Sequence, residues 1–449
     1  MHIGIIGGGF TGCLLAVHLL RRVPSGSAVT LIERSDTLGR GAAYGTDNPE
    51  HLLNVRAGNM SAFPQDPQHF HAWLAARTGS APSSSDFVSR MRFGEYVGDV
   101  FQRAVAAAAG THRVSLISGL ATALHTEPQP GVTLEDGRRL GFDRIALCFG
   151  NLPPADAPGL TAPARASPHY IHDPWRTREL RAISTSDDVV IVGSGLTMAD
   201  VVQSLAGQGH KGPIQVVSRH GLVPLRHEAR NPYQMVQPMG SLRTVFRALR
   251  AEAGKAPARG AGWRDVVDAL RPWTASIWQD MSQDDRRRFL RHIRPYWEVF
   301  RHRLAPAVAD TLSGLQHKGQ LVVSAGRVER IDWVDKRFEV KVRPRGTRHS
   351  ISFAPKWVVN CTGPQSDYAQ TSNPMVRSAV AAGVLRADPL QLGLDVTHDG
   401  AVIDANGRAS TTIYALGPPT RGAFWEMVAV PDIRHECARM AEVLLGTNT

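Results

Sequence analysis

The sequence predicts an α/β protein that contains two strand–glycine turn–helix units. The first glycine turn is Gly7–Gly12 (GGGFTG), which follows the apolar run His2–Ile6. The second glycine turn is Gly193–Met198 (GSGLTM), which follows Val189–Val192. In both places an apolar strand runs into a glycine-rich turn that opens a helix, as in a dinucleotide-binding unit. We therefore expect two Rossmann-like domains, each with a diphosphate resting on a helix N-terminus.

The residues that end the second strand of each unit carry opposite charges. The apolar runs Val29–Ile32 and Ile214–Val217 are followed by acidic Glu33 and, one residue further on, basic Arg219; each lies 26 positions after the first glycine of its turn. A carboxylate there accepts hydrogen bonds from a ribose 2′-hydroxyl, whereas a guanidinium suits a 2′-phosphate. The simplest pair of cofactors is FAD in the first unit and NADPH in the second.

The second glycine turn departs from the pattern at its last position, where Met198 replaces the third glycine. We expect this side chain to push the helix slightly away from the strand, while the first two glycines still admit a diphosphate. The residues predicted to hold cofactors from the turns and strand ends are Gly7, Gly9, Phe10, Thr11, Gly12, Glu33 and Arg34 for FAD, and Gly193, Gly195, Leu196, Thr197, Arg219 and His220 for NADPH.

The remaining elements continue the α/β pattern along the chain. Ser282–Leu304 has an apolar stripe at helical spacing and a capping-box start at Ser282 and Asp285, which predicts one long helix. Further buried strands are expected to end at glycines in three places: Arg144–Phe149 at Gly150, Trp357–Cys361 at Gly363, and Thr411–Leu416 at Gly417.

Length and composition restrict the function classes. At 449 residues, 43% of them hydrophobic, the chain suits two domains of a globular protein. The apolar stretch Cys13–Leu20 is too short to span a membrane, and a strand follows Met1 almost at once, so we expect a cytoplasmic protein with no membrane partner. The net charge of +11 is scattered apart from Arg286–Arg288, which argues against nucleic-acid binding.

Cysteine spacing excludes two further classes. The four cysteines lie far apart in the sequence and form no Cys-x-x-Cys pair, which argues against a redox dithiol of the disulfide-reductase type. No Cys/His cluster has the spacing of a zinc site, so no metal is predicted.

At this point the residues resemble a known family. The chain looks like a member of the bacterial FAD/NAD(P)-binding proteins, distant relatives of the class B, N-hydroxylating-like flavin monooxygenases. The matching stretches span nearly the whole chain and are Gly41–Gly45, His51–Val55, Met60–Pro64, Gly193–Asp200, Ser218–Pro224, Arg301–Arg303 and Thr420–Gly422.

The resemblance implies an NADPH domain inserted into an FAD domain. Residues 1–165 and 351–449 would form the FAD domain, and residues 166–350 the NADPH domain, with a helical insertion near 240–305. Gly150 and Gly363 would link the domains or approach a cofactor, and Gly417 would approach the FAD diphosphate or ribityl chain. The loop from Tyr44 to Met60 would lie near the flavin ring. Pro418 stands where such proteins usually have an Asp that contacts the ribityl chain.

The resemblance also implies a reaction: NADPH-dependent oxygenation of a small molecule, such as hydroxylation of an amine nitrogen, through an oxygen adduct at flavin C4a. Substrate and O₂ would be the partners, and the oligomeric state stays open. Asn54 would donate a hydrogen bond to the adduct or simply stabilise a turn. Arg421 would stabilise reduced flavin, bind an acidic substrate, or form an interface ion pair. A reductase without oxygen insertion and a flavin-binding sensor are the alternative functions.

Overall fold

The computed structural model describes residues 1–79, 82–229 and 231–447. Its strands are β1 (His2–Ile6), β2 (Ala28–Glu33), β3 (Arg113–Ser118), β4 (Ala121–His125), β5 (Gly131–Leu134), β6 (Arg139–Gly141), β7 (Arg144–Leu147), β8 (Leu152–Pro154), β9 (Tyr170–Ile171), β10 (Val189–Val192), β11 (Ile214–Ser218), β12 (Leu321–Val334), β13 (Arg337–Pro344), β14 (Ile351–Phe353), β15 (Trp357–Asn360), β16 (Pro364–Gln365), β17 (Ala401–Ile403) and β18 (Ala409–Ala415).

The α-helices are α1 (Phe10–Leu20), α2 (Gly41–Tyr44), α3 (His69–Thr78), α4 (Arg90–Ala108), α5 (Ala162–Ala166), α6 (Thr177–Leu180), α7 (Leu196–Gly207), α8 (Leu242–Lys255), α9 (Trp263–Ala269), α10 (Thr274–Asp280), α11 (Gln283–Arg288), α12 (Arg294–Arg301), α13 (Pro306–His317), α14 (Pro374–Ala381), α15 (Arg421–Phe424) and α16 (Val430–Leu445). In the described part of the chain, none of them is long and apolar enough to cross a bilayer.

The first compact unit consists of residues 1–46, 55–152 and 365–449. Its main sheet has the strand order β17-β18-β7-β1-β2-β3 and is parallel except for β17. Strand β1 lies in the middle, with Ile6 opposite Ile32 on one side and Leu147 on the other. Because parallel strands are covered on both faces, β1 and β2 are continuous apolar runs, as the sequence shows.

The second compact unit consists of residues 47–54 and 153–364. Its sheet has the order β14-β13-β12-β11-β10-β15-β9, parallel from β9 to β12 and antiparallel beyond. The strand order β15-β10-β11-β12 repeats the order β7-β1-β2-β3 of the first unit. The duplicated nucleotide unit in the sequence is therefore a duplicated sheet topology.

The duplication extends to individual hydrogen bonds at the two glycine turns. The N–H of Gly7 donates to Ile32 O and the N–H of Gly193 donates to Val217 O, both at 2.8 Å. The φ angles of the two glycines are +107° and +108°. A Cβ on Gly7 would lie 2.5 Å from Cys148 O, and one on Gly193 would lie 2.1 Å from Cys361 O. Only glycine fits at these two positions.

Two expectations drawn from the sequence differ from the structure. We expected the NADPH domain to span residues 166–350, but the main segment of the second unit runs from residue 153 to residue 364. It therefore includes strand β15, which pairs with β10. The single helix expected over Ser282–Leu304 is interrupted by a π-helical turn at Phe289–Ile293, between α11 and α12. The reason is Pro295, which has no N–H to donate to the preceding turn and therefore breaks the α-helical ladder.

Candidate functional site

The first glycine turn leads directly into the buried helix α1. Gly9 is the N-cap residue, and Phe10 and Thr11 form the first turn, where backbone N–H groups have no intrahelical partner. A Cβ on Gly12 would lie 1.8 Å from Gly7 O, so helix and strand approach closely. No acidic side chain occupies the first turn of α1. The turn therefore offers free N–H donors to an anion.

Glu33 lies beside this turn at the end of β2. Its Oε2 accepts a hydrogen bond from Gly8 N at 2.6 Å, and its Oε1 accepts one from Ser35 N at 3.0 Å. The carboxylate is half-buried, while the next residue, Arg34, is exposed. The structure thus brings the predicted ribose ligand next to the predicted diphosphate site.

The C-terminal segment lies beside the start of α1 at Gly417, which the family resemblance placed near FAD. Gly417 follows β18 with φ +81°, and a Cβ there would lie 2.9 Å from the Thr11 hydroxyl oxygen. Gly150, after β7, has φ +69°, and a Cβ there would meet no atom within 4 Å. Gly417 therefore closes over the start of α1, while Gly150 faces open space.

The aromatic residues near the first glycine turn form a small cluster. The ring of Tyr44 lies 6.2 Å from Phe10 and 4.7 Å from Phe93, between ring centroids. Burial raises the pKa of Tyr44 to about 12, so its hydroxyl stays neutral. Met60, which we expected near a cofactor, has 1% of its surface exposed. It is therefore a core residue of the first unit.

The second glycine turn opens helix α7. Gly195 is the N-cap residue of α7, whose first turn contains Leu196 and Thr197. Met198 is completely buried, and the first helical hydrogen bond, from Ala199 N to Gly195 O, is 3.3 Å long. The corresponding bond of the first turn, from Cys13 N to Gly9 O, measures 3.0 Å. Both bonds lie within a helix, so the expected separation of helix and strand at Met198 stays a prediction.

Two arginines and a histidine lie near the end of β11. Arg219 and His220 follow the strand directly, and Nη1 of Arg345, which follows β13, lies 3.4 Å from Nδ1 of His220. Burial, followed by the charges of Arg345 and Arg219, lowers the pKa of His220. We call Arg219, His220 and Arg345 the cationic cluster. No local pattern in the sequence points to Arg345, because the pairing partner of a distant hairpin is not encoded locally.

The loop between Tyr44 and Met60 is divided between the two units. Residues 47–54 belong to the second unit, where Nε2 of His51 lies 2.8 Å from Ser204 Oγ and 3.0 Å from Asp200 O, both on α7. Nε2 of His227 donates to Asn54 O at 3.0 Å. The backbone of Asn54 is therefore fixed to the second unit. Gly363 also belongs to this unit, with φ +92° and no atom within 4 Å of the place where a Cβ would lie.

The arginines singled out in the sequence have different environments. The guanidinium of Arg421 lies 4.5 Å from the ring centroid of Trp425 within the first unit, a cation–π contact. The stretch Arg301–Arg303, which is part of the family resemblance, is not solvated at Arg303. Arg303 is 2% exposed, and its Nη1 donates to Asp268 Oδ2 at 2.9 Å. It therefore forms a buried ion pair inside the helical insertion.

Within the described residues, no group of three His, Cys, Asp or Glu side chains is arranged to hold a metal ion. All four cysteines are buried and unbridged. Burial raises the pKa of Cys13 to about 12 and also raises the pKa of the Cys148, Cys361 and Cys437 thiols, so none is a reactive thiolate.

Comparison with known proteins agrees with this architecture. The profile of a family described as FAD-NAD(P)-binding matches residues 4–152, which contain the first glycine turn and Glu33. No curated protein sequence matches the chain. The family match supports the resemblance inferred from the sequence for this third of the chain.

Solved structures extend the likeness to the whole chain. Ornithine N-hydroxylase of Kutzneria sp. 744, solved with reduced FAD, NADP⁺ and L-ornithine, has a TM-score of 0.67 at 15% identity over 98% of both chains. L-lysine 6-monooxygenase of Pseudomonas syringae has a TM-score of 0.65 at 15% identity over 99% of both chains. A cadaverine monooxygenase of Erwinia amylovora, solved with FAD, has a TM-score of 0.66 at 12% identity and covers 99% of this chain and 94% of its own. The likeness establishes the fold: two dinucleotide-binding units, one inserted into the other.

Proposed function

We propose that the protein is an NADPH-dependent FAD monooxygenase that hydroxylates the amine nitrogen of a small molecule. The observation that carries this proposal is the pair of equivalent glycine turns with opposite charges at the neighbouring strand ends. Glu33 suits a ribose with a free 2′-hydroxyl and Arg219 suits one with a 2′-phosphate. Two different dinucleotides in one chain favour electron transfer from one to the other.

The residues of the first unit fit FAD. Gly7 and Gly12 leave no room for a Cβ, so the turn packs closely against its neighbours, and Gly9, which has no side chain, would let the backbone approach a diphosphate. Gly417 adds a second stretch of backbone beside Thr11, and its own Cβ position is nearly filled by the Thr11 side chain. These residues and Glu33 would hold the adenosine diphosphate half of FAD. When bound, FAD would accept hydride from NADPH and activate O₂.

The chain's own residues would bind and orient the reactants. The second glycine turn would hold the NADPH diphosphate, and the cationic cluster its 2′-phosphate. Asn54, whose backbone is fixed by His227, would present a side-chain amide that donates a hydrogen bond without titrating. Arg421 would contribute a positive charge in the first unit. Tyr44, Met60, Gly150 and Gly363 remain proposed cofactor contacts.

The three solved structures above are named for ornithine, lysine and cadaverine, which are aliphatic primary amines. We propose the same substrate class for this chain. In the balanced reaction, the amine, O₂, NADPH and a proton give a hydroxylamine, water and NADP⁺. The proposed partners are this amine and O₂, with no nucleic acid or membrane. The proposed compartment is the cytoplasm, where buried thiols stay reduced.

The test is a coupled assay on the purified, FAD-loaded protein with a panel of primary amines. We expect NADPH oxidation and O₂ uptake that rise with one class of amine, and hydroxylamine formed in proportion. NADPH oxidation with artificial electron acceptors but no hydroxylamine from any amine would identify a reductase instead. Tight FAD binding without NADPH oxidation would favour a flavin-binding sensor.

A further inference from the structure

A cavity lies at the C-terminal end of α1, the opposite end of that helix from the first glycine turn. Its volume is about 400 Å³, which is within the range of small-molecule sites. Leu20 and Arg21 line it from the end of α1, and Trp73 lines it from α3. Because α1 has 11 residues, the cavity lies about 16 Å from the glycine turn and is distinct from the proposed diphosphate site.

Much of the surface of this cavity is apolar. The lining side chains Phe63 and Trp73 are each 6% exposed, so they form a firm part of the first unit. Helix α4 contributes Val100, Ala104 and Ala107, whose spacing of four and three residues places them on one face of the helix. This face extends for about 10 Å along the helix axis. The cavity therefore offers an elongated apolar surface to a ligand.

Arg21 places a positive charge at this apolar surface. Its guanidinium carbon lies 4.3 Å from the ring centroid of Phe63. A guanidinium over an aromatic ring uses its flat face and keeps its in-plane N–H groups for other partners. Arg21 is exposed, and its side chain forms no ion pair or hydrogen bond with any residue that the structure describes. These N–H groups suit a carboxylate, which they bind through two parallel hydrogen bonds.

The acidic side chain at the cavity does not compensate the charge of Arg21. Asp99 Oδ2 accepts a hydrogen bond from Trp73 Nε1 at 2.6 Å and lies 3.0 Å from Arg103 Nη2, so this carboxylate already has partners. His69 also lines the cavity, and burial lowers its pKa, so its ring is mainly neutral at pH 7. The local charge therefore favours an anionic group beside Arg21.

We propose that this cavity is a binding site for an aliphatic monocarboxylate, with the carboxylate on Arg21 and the chain along Val100, Ala104 and Ala107. The head group gains charge-assisted hydrogen bonds, and the chain leaves water for an apolar surface. An alkylammonium of the same length would instead meet the like charge of Arg21. The site goes beyond the proposed monooxygenase reaction and does not depend on it.

The experiment measures octanoate binding to the purified protein by calorimetry, with octanol and octylamine as ligands of the same chain length. The wild type should bind octanoate at least about tenfold more tightly than either of the others. Arg21→Ala should lower the octanoate affinity about ten- to a hundredfold and leave the octanol affinity unchanged. Arg21→Lys should lose less, because it keeps the charge but not the planar fork.

A second variant tests the apolar part of the site. Ala104→Trp should fill the cavity and weaken octanoate and octanol by a similar factor, while thermal unfolding verifies that each variant is folded. Addition of FAD should not change the octanoate affinity. Competition between octanoate and FAD would move the carboxylate to the nucleotide site and overturn the proposal.

Arg22→Ala is the matched control, since it removes the neighbouring positive charge. The side chain of Arg22 donates to His18 O at 3.3 Å and does not line the cavity. This variant should change the octanoate affinity less than about threefold. Equal losses in Arg21→Ala and Arg22→Ala, or octylamine bound as tightly as octanoate, would contradict a carboxylate site at Arg21. Arg21-dependent octanoate binding without hydroxylamine from any amine would refute the proposed reaction and leave this inference standing.

Discussion

The carboxylate of Glu33 accepts a 2.6 Å hydrogen bond from the backbone N–H of Gly8, so the end of β2 is fastened to the first glycine turn. This contact holds the proposed ribose ligand beside the proposed diphosphate site. The second unit uses a different link, a 2.8 Å hydrogen bond from Ser194 Oγ to Ser218 Oγ. Each glycine turn is thus tied to the adjacent strand end.

The Glu33 contact predicts how FAD binding responds to substitution. Glu33→Ala should weaken FAD binding about ten- to a hundredfold, because a charged acceptor for ribose is lost. Glu33→Gln should lose less FAD affinity, since its amide oxygen can still accept a hydrogen bond from Gly8 N. Fluorescence titration of the apoprotein with FAD measures both. Glu95→Ala, which removes a half-buried carboxylate on α4 paired with Arg92, serves as control and should bind FAD normally. Equal affinity of Glu33→Ala and wild type would contradict the assignment.

A second prediction concerns Gly193. Gly193→Ala forces a Cβ to 2.1 Å from Cys361 O at a φ of +108°, so we expect a loss of about 3 kcal/mol or more in unfolding free energy and no NADP⁺ binding. Gly209→Ala is the matched control, because Gly209 has φ +73° but no atom within 4 Å of a Cβ. It should cost only about 1–2 kcal/mol and leave binding intact. Thermal unfolding and calorimetry distinguish the two variants, and similar behaviour of both would be evidence against a close strand–turn approach.

The buried ion pair in the helical insertion predicts a non-additive pair of substitutions. Arg303→Ala leaves the Asp268 carboxylate, 11% exposed at its side chain, without its 2.9 Å partner, and should destabilise the second unit by about 3–5 kcal/mol. The double variant Arg303→Met, Asp268→Leu removes both charges and should recover most of that loss. Urea unfolding followed by tryptophan fluorescence measures the unfolding free energy of each variant. If the double variant is as unstable as the single one, the charge pair is not the cause.

His18 predicts a loss of stability in acid. Burial, together with the neighbouring Arg22 and Arg21 charges, lowers the pKa of His18 to about 4. The unfolded chain, with an ordinary histidine pKa of about 6.5, then binds the proton more tightly than the folded chain. Stability that is fully present above about pH 6.5 is therefore lost as the pH falls towards 4, by about 2–3 kcal/mol at pH 4.5.

His18→Gln should reduce this pH dependence when unfolding free energies at pH 7 and pH 4.5 are compared. His292→Gln, which replaces an exposed histidine, should leave it as in the wild type. The explanation fails if the His18 variant loses as much stability in acid as the unchanged protein.

Local patterns in the sequence predicted much of the nucleotide machinery. In each unit the strand, the glycine turn that follows it and the strand-end residue (Glu33 or Arg219) lie within about 32 residues, so their chemistry is visible in one short window. The family resemblance placed Gly417 near FAD, but its position beside Thr11 is known only from the structure. The local sequence of β18, the strand before Gly417, does not show that this strand joins the sheet of the first unit.

Other features depended on pairings that no local pattern contains. The sheet membership of β15, the division of residues 47–54 from the rest of their loop, and the burial of Arg303 against Asp268 all involve partners distant in sequence. An arginine at a helix end has the same local sequence whether it faces water or a buried carboxylate. Its environment is decided only when the helices pack.

The sequence by itself determined that this protein has two Rossmann-like units with differently charged strand ends, because strand, turn and helix propensities and backbone sterics act over neighbouring residues. Tertiary structure alone decided that Arg345 joins Arg219 and His220. The register of the β12–β13 hairpin places these residues together. The N–H of Arg345 donates to Ala325 O, and Ala325 is paired with Ser218 at the end of β11. Register depends on packing and on long-range strand pairing, and these exist only in the folded chain.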